Sequence, residues 1–341
     1  MDSALLLEKT ILVAILTLVT LGIAAYLTWG ERKVAAFMQD RIGPNRAGVF
    51  GLLQPLADAG KLFFKEEFIP VKAERWLFIL GPAVAMITAT ITSAVIPWGT
   101  ELPIFGRNVQ LQVADVNIGV LYIMGIVSVG VYGIMIGGWA SNNKYSLYGA
   151  IRASAQMISY ELSMGLALIA VIMMSGTLSL REIVAQQEGM NWNIFYQPLG
   201  FLLFFVSALA ECNRAPFDLP ECETELIGGY HTEYSSMKLG FYLFSEYVNM
   251  FISSALMATL YFGGYNFPGM SLISNPTVLG IAQIAVMFTK ISLFIFVFMW
   301  IRWTLPRFRY DQLMHLGWKN MIPLALANMV ITGAVILLFG N

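Results

Sequence analysis

The sequence predicts an all-α polytopic membrane protein, and three observations carry that expectation. Of 341 residues, 57% are hydrophobic and only 12% charged, with a mean hydropathy of +0.69. Apolar windows of about 20 residues, the length a helix needs to cross the hydrocarbon, recur roughly eight times. Tryptophans mark the ends of most of them, as an aromatic belt at the headgroups requires. Soluble domains do not sustain this composition, and β-barrel strands would alternate rather than run apolar.

In chain order the spans fall at Leu5–Trp29, Trp76–Trp98, Val116–Trp139, Ala150–Ser175, Phe195–Ala210, Leu239–Phe262, Val278–Ile301 and Met321–Phe339. Trp29, Trp76, Trp98, Trp139, Trp303 and Trp318 are the expected belt. The first span lacks a basic n-region and a small-residue cleavage site, so it reads as an uncleaved helix. No Ser/Pro linker or internal repeat divides residues 1–341, which predicts a single membrane domain. Lysine and arginine concentrate in alternate connections: Arg32 to Arg75, then Lys144 and Arg152, then Arg214 and Lys238, then Arg302 to Lys319. The positive-inside rule puts those connections in the cytoplasm and both termini on the other side.

The first cytoplasmic connection predicts one further helix. From Gly51 to Lys65, Leu52, Leu53, Leu56, Phe63 and Phe64 share one face, while Gln54, Asp58 and Lys61 lie off it. That spacing suits an amphipathic helix lying in the membrane interface or docked on the bundle. Before it, RIGPNRAG is a shaped loop in which Arg41 and Arg46 either offer guanidinium groups to a partner or hold the chain at headgroup level.

Glu211 to Glu246 is the richest stretch for function. Glu211, Asp218, Glu221, Glu223, Glu225, Glu233 and Glu246 make seven of the 21 acids, opposed there by Arg214 and Lys238. Ionised groups are costly to bury, so acids between apolar spans line a wet cavity, a proton route or a ligand site, unless the segment is a solvated loop. Prolines on both sides of Asp218 fix the backbone and exclude helix locally. Glu221 and Glu225 are four apart, so a short helix would put them on one face, where repulsion raises at least one pKa. Coupled acids of this kind exchange protons near neutral pH. Glu31, followed by Arg32, ends the first span as either a cavity rim or an interfacial ion pair. Glu161 lies inside the fourth span, either as a proton-carrying acid or in a structural hydrogen bond. Lys290, inside the seventh, has a buried salt bridge as its plain explanation. Arg302, Arg307 and Arg309 either pin acids of the Glu211–Glu233 segment or only satisfy the positive-inside rule.

Redox centres belonging to this chain are not expected. Cys212 and Cys222 are too few for an iron–sulfur cluster, which needs about four thiolates. His231 and His315 fall in polar connections, which disfavours a haem between helices, and no metal site is expected. A formal charge of −1 gives no case for nucleic acid.

ERKVAAFMQDRIGPNRAGVFGLLQPLADAGKLFFKE, SAQMISYEL, AECNRAPFDLPE, GYHTEYSSMK and LPRFRYDQLMHLGWK closely resemble the H-type membrane subunit family of proton-translocating NADH:quinone oxidoreductase, respiratory complex I. The resemblance runs from the first helix to the last. It implies a subunit at the heel of the membrane arm that forms much of the tunnel by which quinone reaches the terminal iron–sulfur cluster of neighbouring subunits. Its acids (Glu31, Glu161, Glu211, Asp218, Glu221, Glu223, Glu225, Glu233 and Glu246) would then begin a polar path towards antiporter-like and small membrane-arm subunits. Arg32, Arg41, Arg46, Arg214, Lys290, Arg302, Arg307 and Arg309 would serve the tunnel or the interface with the peripheral arm. FMN and the iron–sulfur clusters would belong to partner chains, quinone would be the substrate, and the setting would be the bilayer of a bacterial plasma membrane. The alternatives are the equivalent subunit of a complex-I-like hydrogenase and a stand-alone ion-coupled transporter. The transporter would show inverted repeats, and the two halves show no internal similarity.

Overall fold

The computed structural model describes residues 3–104, 107–218 and 227–339. Glu221, Glu223, Glu225 and Cys222 lie outside the described residues.

Helix α1 runs Ser3–Met38, well beyond the first predicted span. At about 1.5 Å per residue it outreaches a ~30 Å hydrocarbon layer by several turns. Glu31 therefore sits within a helix rather than at its end. The connection that follows turns through Gly48 and Gly51 at positive φ, and a Cβ on Gly51 would lie 2.3 Å from the Pro44 carbonyl oxygen. The loop thus folds back on itself and delivers α2 (Gln54–Phe64), which carries Pro55 in its first turn. Leu52, Leu53, Leu56, Phe63 and Phe64 are all exposed, as a lipid-facing stripe requires. On the other side Gln54 Nε2 donates to Asp58 (3.0 Å), and Arg32 reaches the same carboxylate at 2.8 Å.

Helices α3 (Arg75–Thr92) and α4 (Gly119–Ala140) form the closest pair. Gly81, Gly133 and Gly137 allow it: a Cβ on Gly137 would stand 1.9 Å from the Tyr242 hydroxyl oxygen. Pro82 has no N–H, so the carbonyl of Phe78 four residues earlier lacks its helical partner. Tyr234 supplies one, its hydroxyl lying 3.0 Å from Phe78 O, while Tyr242 donates to Gly133 O at 2.9 Å. Burial pushes the Tyr234 phenol up to about 12, so it remains a neutral donor in the physiological range.

Between α3 and α4 lies a two-stranded antiparallel hairpin, β1 (Glu101–Ile104) and β2 (Arg107–Gln110), paired Glu101 to Gln110 and Ile104 to Arg107. It is a small exception to the all-α expectation. Trp98 beside it is buried, stacked on Phe251 and Phe288, and so does not belong to the aromatic belt.

Helix α5 (Lys144–Ser175) is capped by the Asn143 side chain and stopped at Gly176, φ 67°. Short helices α6 (Leu180–Gln186) and α7 (Asn193–Tyr196) precede α8 (Pro198–Glu211), and α9 (Ser236–Tyr261) is the most buried of the long helices. Then come α10 (Pro276–Thr304), α11 (Tyr310–His315), a π-helical turn at Leu316–Met321, and α12 (Ile322–Phe339). His315 thus closes a short helix rather than lying in a connection. Among the described residues, seven helices are long and apolar enough to cross a membrane. The fifth expected span, Phe195–Ala210, corresponds to α8, whose 14 residues are short for the hydrocarbon. Buried hydrogen bonds fasten α8 to α12: Gln197 donates to Thr332 (2.6 Å) and accepts from Asn328 (2.9 Å).

Candidate functional site

At the end of the bundle rich in Lys and Arg, α1, α9, α10 and the turn after α8 converge on one buried charge cluster. Glu31 comes from α1, Glu246 and Tyr247 from α9, Arg302 from α10, and Arg214 from the turn. Glu31, Arg214 and Glu246 are each no more than 6% exposed. Arg302 Nη1 lies 2.5 Å from Glu31 Oε1, and Tyr247 donates to Glu31 Oε2 at 2.9 Å. Arg214 sits between the two acids, Nη1 3.7 Å from Glu31 and Nη2 3.6 Å from Glu246. Its guanidinium also covers the Tyr247 ring at 4.1 Å. Tyr230 donates to Glu246 Oε1 at 3.4 Å. Among the described residues two carboxylates face two guanidiniums here, and pairing of this kind makes burial tolerable. The pairs made by Arg214 are loose for charge-assisted bonds, whose usual length is about 2.7–2.9 Å.

The turn carrying Arg214 is not a solvated loop. Gln156 of α5 donates to both Ala210 O (2.9 Å) and Phe217 O (2.8 Å), and Phe308 N–H reaches Pro216 O at 3.1 Å. Asp218 is buried, with Arg307 Nη2 3.1 Å from its carboxylate.

Two cavities meet at this cluster. One opens between α1, α2, α9 and α10 and is lined by Thr28, Arg32, Asp58, Arg214, Tyr247 and Arg302. The other runs down the bundle; its polar end holds Glu211, Asn213, Tyr230, Ser245, Glu246, Asn249 and Ser253. Glu211 is 6% exposed, and its Oε2 has no hydrogen-bond partner among the described residues. Arg214 lines the first cavity and faces, through Glu246, the second.

Other residues singled out from the sequence stand apart. Glu161 of α5 is half-buried and accepts a hydrogen bond from Ser128 of α4. Glu233 accepts from Asn143 at 2.6 Å, a contact that secures the start of α5 rather than joining the cluster. Arg32 pairs with Asp58 at 2.8 Å on the rim of the first cavity. Arg307 pins an acid of the Glu211–Glu233 segment, Asp218, while Arg302 pairs instead with Glu31 of α1, and Arg309 meets Asp311 at 3.4 Å, both exposed. Arg41 is exposed beside Gln39 (2.7 Å), and Arg46 is exposed too. The salt bridge expected of Lys290 is not what holds it: its ammonium donates to three backbone carbonyls.

The sequence reading missed Tyr247, Tyr230, Ser128 and the polar lining of α9. A signal existed for the last. Glu246, Asn249 and Ser253 recur at i, i+3 and i+7 in an otherwise apolar helix, which is one polar face turned inward.

Buried, balanced ion pairs between two cavities within apolar helices define a polytopic membrane protein with an internal charge network. Comparison with known proteins places it in a family. The NADH dehydrogenase family profile matches residues 10–333. The H-type subunit of NADH-quinone oxidoreductase from Flavobacterium johnsoniae is 63% identical over 340 residues, covering 99% of this chain and 97% of that one. An H-type subunit from Cytophaga hutchinsonii is 66% identical over 338 residues, 98% of each chain. Another, from Geobacter metallireducens, is 51% identical over 338 residues, 99% of this chain and 98% of that one. The chain belongs to the family of H-type subunits of NADH-quinone oxidoreductase, and the sequence-based resemblance holds over its whole length.

Proposed function

We propose that this chain forms much of the quinone chamber of a proton-translocating NADH:quinone oxidoreductase in a bacterial inner membrane, and that it couples quinone reduction to proton movement. The single observation that carries the coupling is Arg214, which lines the first cavity and contacts both Glu31 and Glu246, the latter a lining residue of the second. The first cavity has the makings of a chamber for an amphipathic ligand: apolar walls from Ala25, Leu62, Leu243 and Phe244, with convergent polar groups at its head. Electrons would come from an iron–sulfur cluster in a peripheral-arm partner, fed in turn by FMN and NADH there.

Reduction of a quinone by two electrons leaves a dianion that takes two protons. Arg302 and Arg32 would steady the developing charge, the Tyr247 hydroxyl, bonded to the Glu31 carboxylate, would give one proton at the same cavity, and water in the cavity would give the second. Once Tyr247 has given up its proton, the Glu31 carboxylate loses that hydrogen-bond donor and draws the Arg214 guanidinium towards it. Glu246 then loses part of its counter-charge and takes up a proton in the second cavity, where Glu211 stands close by. Glu161, half-buried between α4 and α5, continues the route towards antiporter-like and small membrane-arm subunits. Glu221, Glu223 and Glu225 remain proposed members of the relay. Arg41 and Arg46, exposed beside Ile42, Val49 and Phe50, suit the docking of the peripheral arm. Both termini would lie outside the cytoplasm.

The test is Glu31→Gln in the assembled complex, which keeps size and removes the charge. Quinone-linked NADH oxidation should fall at least tenfold, about 1.4 kcal/mol in barrier height, while NADH oxidation by a hydrophilic artificial acceptor stays at the parental rate. Parental quinone turnover in this variant would sink the reading.

A further inference from the structure

The end of the second cavity furthest from the charge cluster is apolar. Val120, Ile123, Leu180, Phe204, Leu256 and Leu260 close it. Immediately beyond Leu260, the chain leaves helix for the segment 262–266, in which Gly263 and Gly264 have φ of 70° and 53°. Gly263, Gly264, Tyr265 and Asn266 are buried against α10 beside Lys290, the middle residue of that span. Irregular backbone at membrane depth survives only where protein satisfies its polar groups, and here the satisfaction is dense. Lys290 Nζ donates to Phe262 O, Gly264 O and Asn266 O, each at 2.7 Å, and stands 5.0 Å from the Trp192 ring centroid. Gln187 donates to Thr259 O (3.0 Å) and accepts from the N–H groups of Gly263 (3.0 Å) and Asn193 (3.1 Å). Asn193 donates to Leu260 O (2.8 Å), and Asn266 to Val184 O (2.7 Å).

We infer that this knot, with Lys290 at its centre, is the seal that keeps the polar cavity closed to the side opposite the charge cluster. The inference rests on the reading of that cavity as a proton route. An ammonium has three donors and here uses all three on carbonyls. Among the described residues no carboxylate takes part in the knot. Removing the ammonium leaves three carbonyl oxygens facing one another in a buried space. Unsatisfied groups of this kind recruit water, and water beside Leu260 would breach the apolar collar that ends the cavity.

The experiment uses the whole complex, reconstituted into liposomes and given a pH step with neither NADH nor quinone present. K290M keeps the length and apolar stem of the side chain. Its passive proton influx should rise several-fold over the parent, and the added E211Q change, which removes a titratable proton from the cavity, should suppress most of that rise. A K290M complex as tight as the parent overturns the inference. So does a leak indifferent to E211Q, since that leak would pass through damaged packing rather than the cavity. Should K290M fail to assemble, N193A, which deletes one bond of the knot and leaves the ammonium in place, should show a smaller leak of the same E211Q sensitivity. A tight N193A complex would then count against the seal. The leak assay involves no turnover, so its failure is distinct from failure of Glu31→Gln to affect quinone reduction.

Discussion

Two regions of the bundle, one at its Lys- and Arg-rich end and one at mid-span, bury cations in opposite ways. At one, Arg214 lies between Glu31 and Glu246 at 3.7 and 3.6 Å. At the other, Lys290 is held by three carbonyl oxygens at 2.7 Å. Carboxylates titrate and backbone carbonyls do not. A cation placed between groups that can each lose charge has more than one arrangement available. A cation gripped by fixed dipoles has one. The first arrangement is suited to respond to a reaction and the second to resist one, although both satisfy the same rule that a buried charge needs compensation.

The largest effect that would test this contrast comes from Arg214→Met. It leaves Glu31 and Glu246 without the guanidinium between them, and breaking a buried pair typically costs about 3–5 kcal/mol. Quinone-linked turnover should be lost and assembly reduced, as read by native gel and activity stain. A complex that assembles and turns over normally would show that the shared cation is dispensable, and the comparison would collapse. Tyr247→Phe is expected to do less. It removes one hydrogen bond to Glu31, about 1.5–3 kcal/mol for a charged acceptor, and keeps the ring under Arg214. Assembly should hold while quinone-linked turnover drops several-fold; a drop equal to that of Arg214→Met would mean that the phenol matters more than the switchable cation. Arg309→Gln should do least, because an exposed pair contributes about 0–1 kcal/mol. Activity and thermal stability of the complex should match the parent, and a large loss would extend the responsive region beyond the buried cluster.

Much of this was readable in the chain, for identifiable reasons. Span positions follow from hydropathy because lipid imposes one demand, internal satisfaction of the backbone, on every segment that crosses it. Glu31, Glu211 and Glu246 were visible as acids where acids are expensive, and cost is a property of composition. Their partners were not visible. The Glu31–Tyr247 contact joins residues 216 positions apart, and nothing local to either one specifies the other. Lys290 shows the same limit. A lysine in a span predicts a compensating group, and an acid is the usual guess, but carbonyls freed by a break in a neighbouring helix leave no mark in the residue types. Trp98 looked like a belt residue because it ends a span, yet Phe251 and Phe288 enclose it. The Glu221–Glu225 pair, on which the sequence placed its proton-sharing argument, lies outside the described residues.

The hydrogen bond from Tyr234 to Phe78 O has a consequence for biogenesis. Pro82 leaves α3 with a carbonyl that its own helix cannot satisfy, and the donor arrives 156 residues later in the chain. During synthesis α3 and α4 enter the membrane long before Tyr234 leaves the ribosome, and Tyr242, which wedges into their glycine contact, comes later still. The pair must wait in the bilayer with a polar gap open on one face. A chain interrupted before residue 234 therefore presents a defect that quality control in the membrane can recognise, and a completed chain hides it.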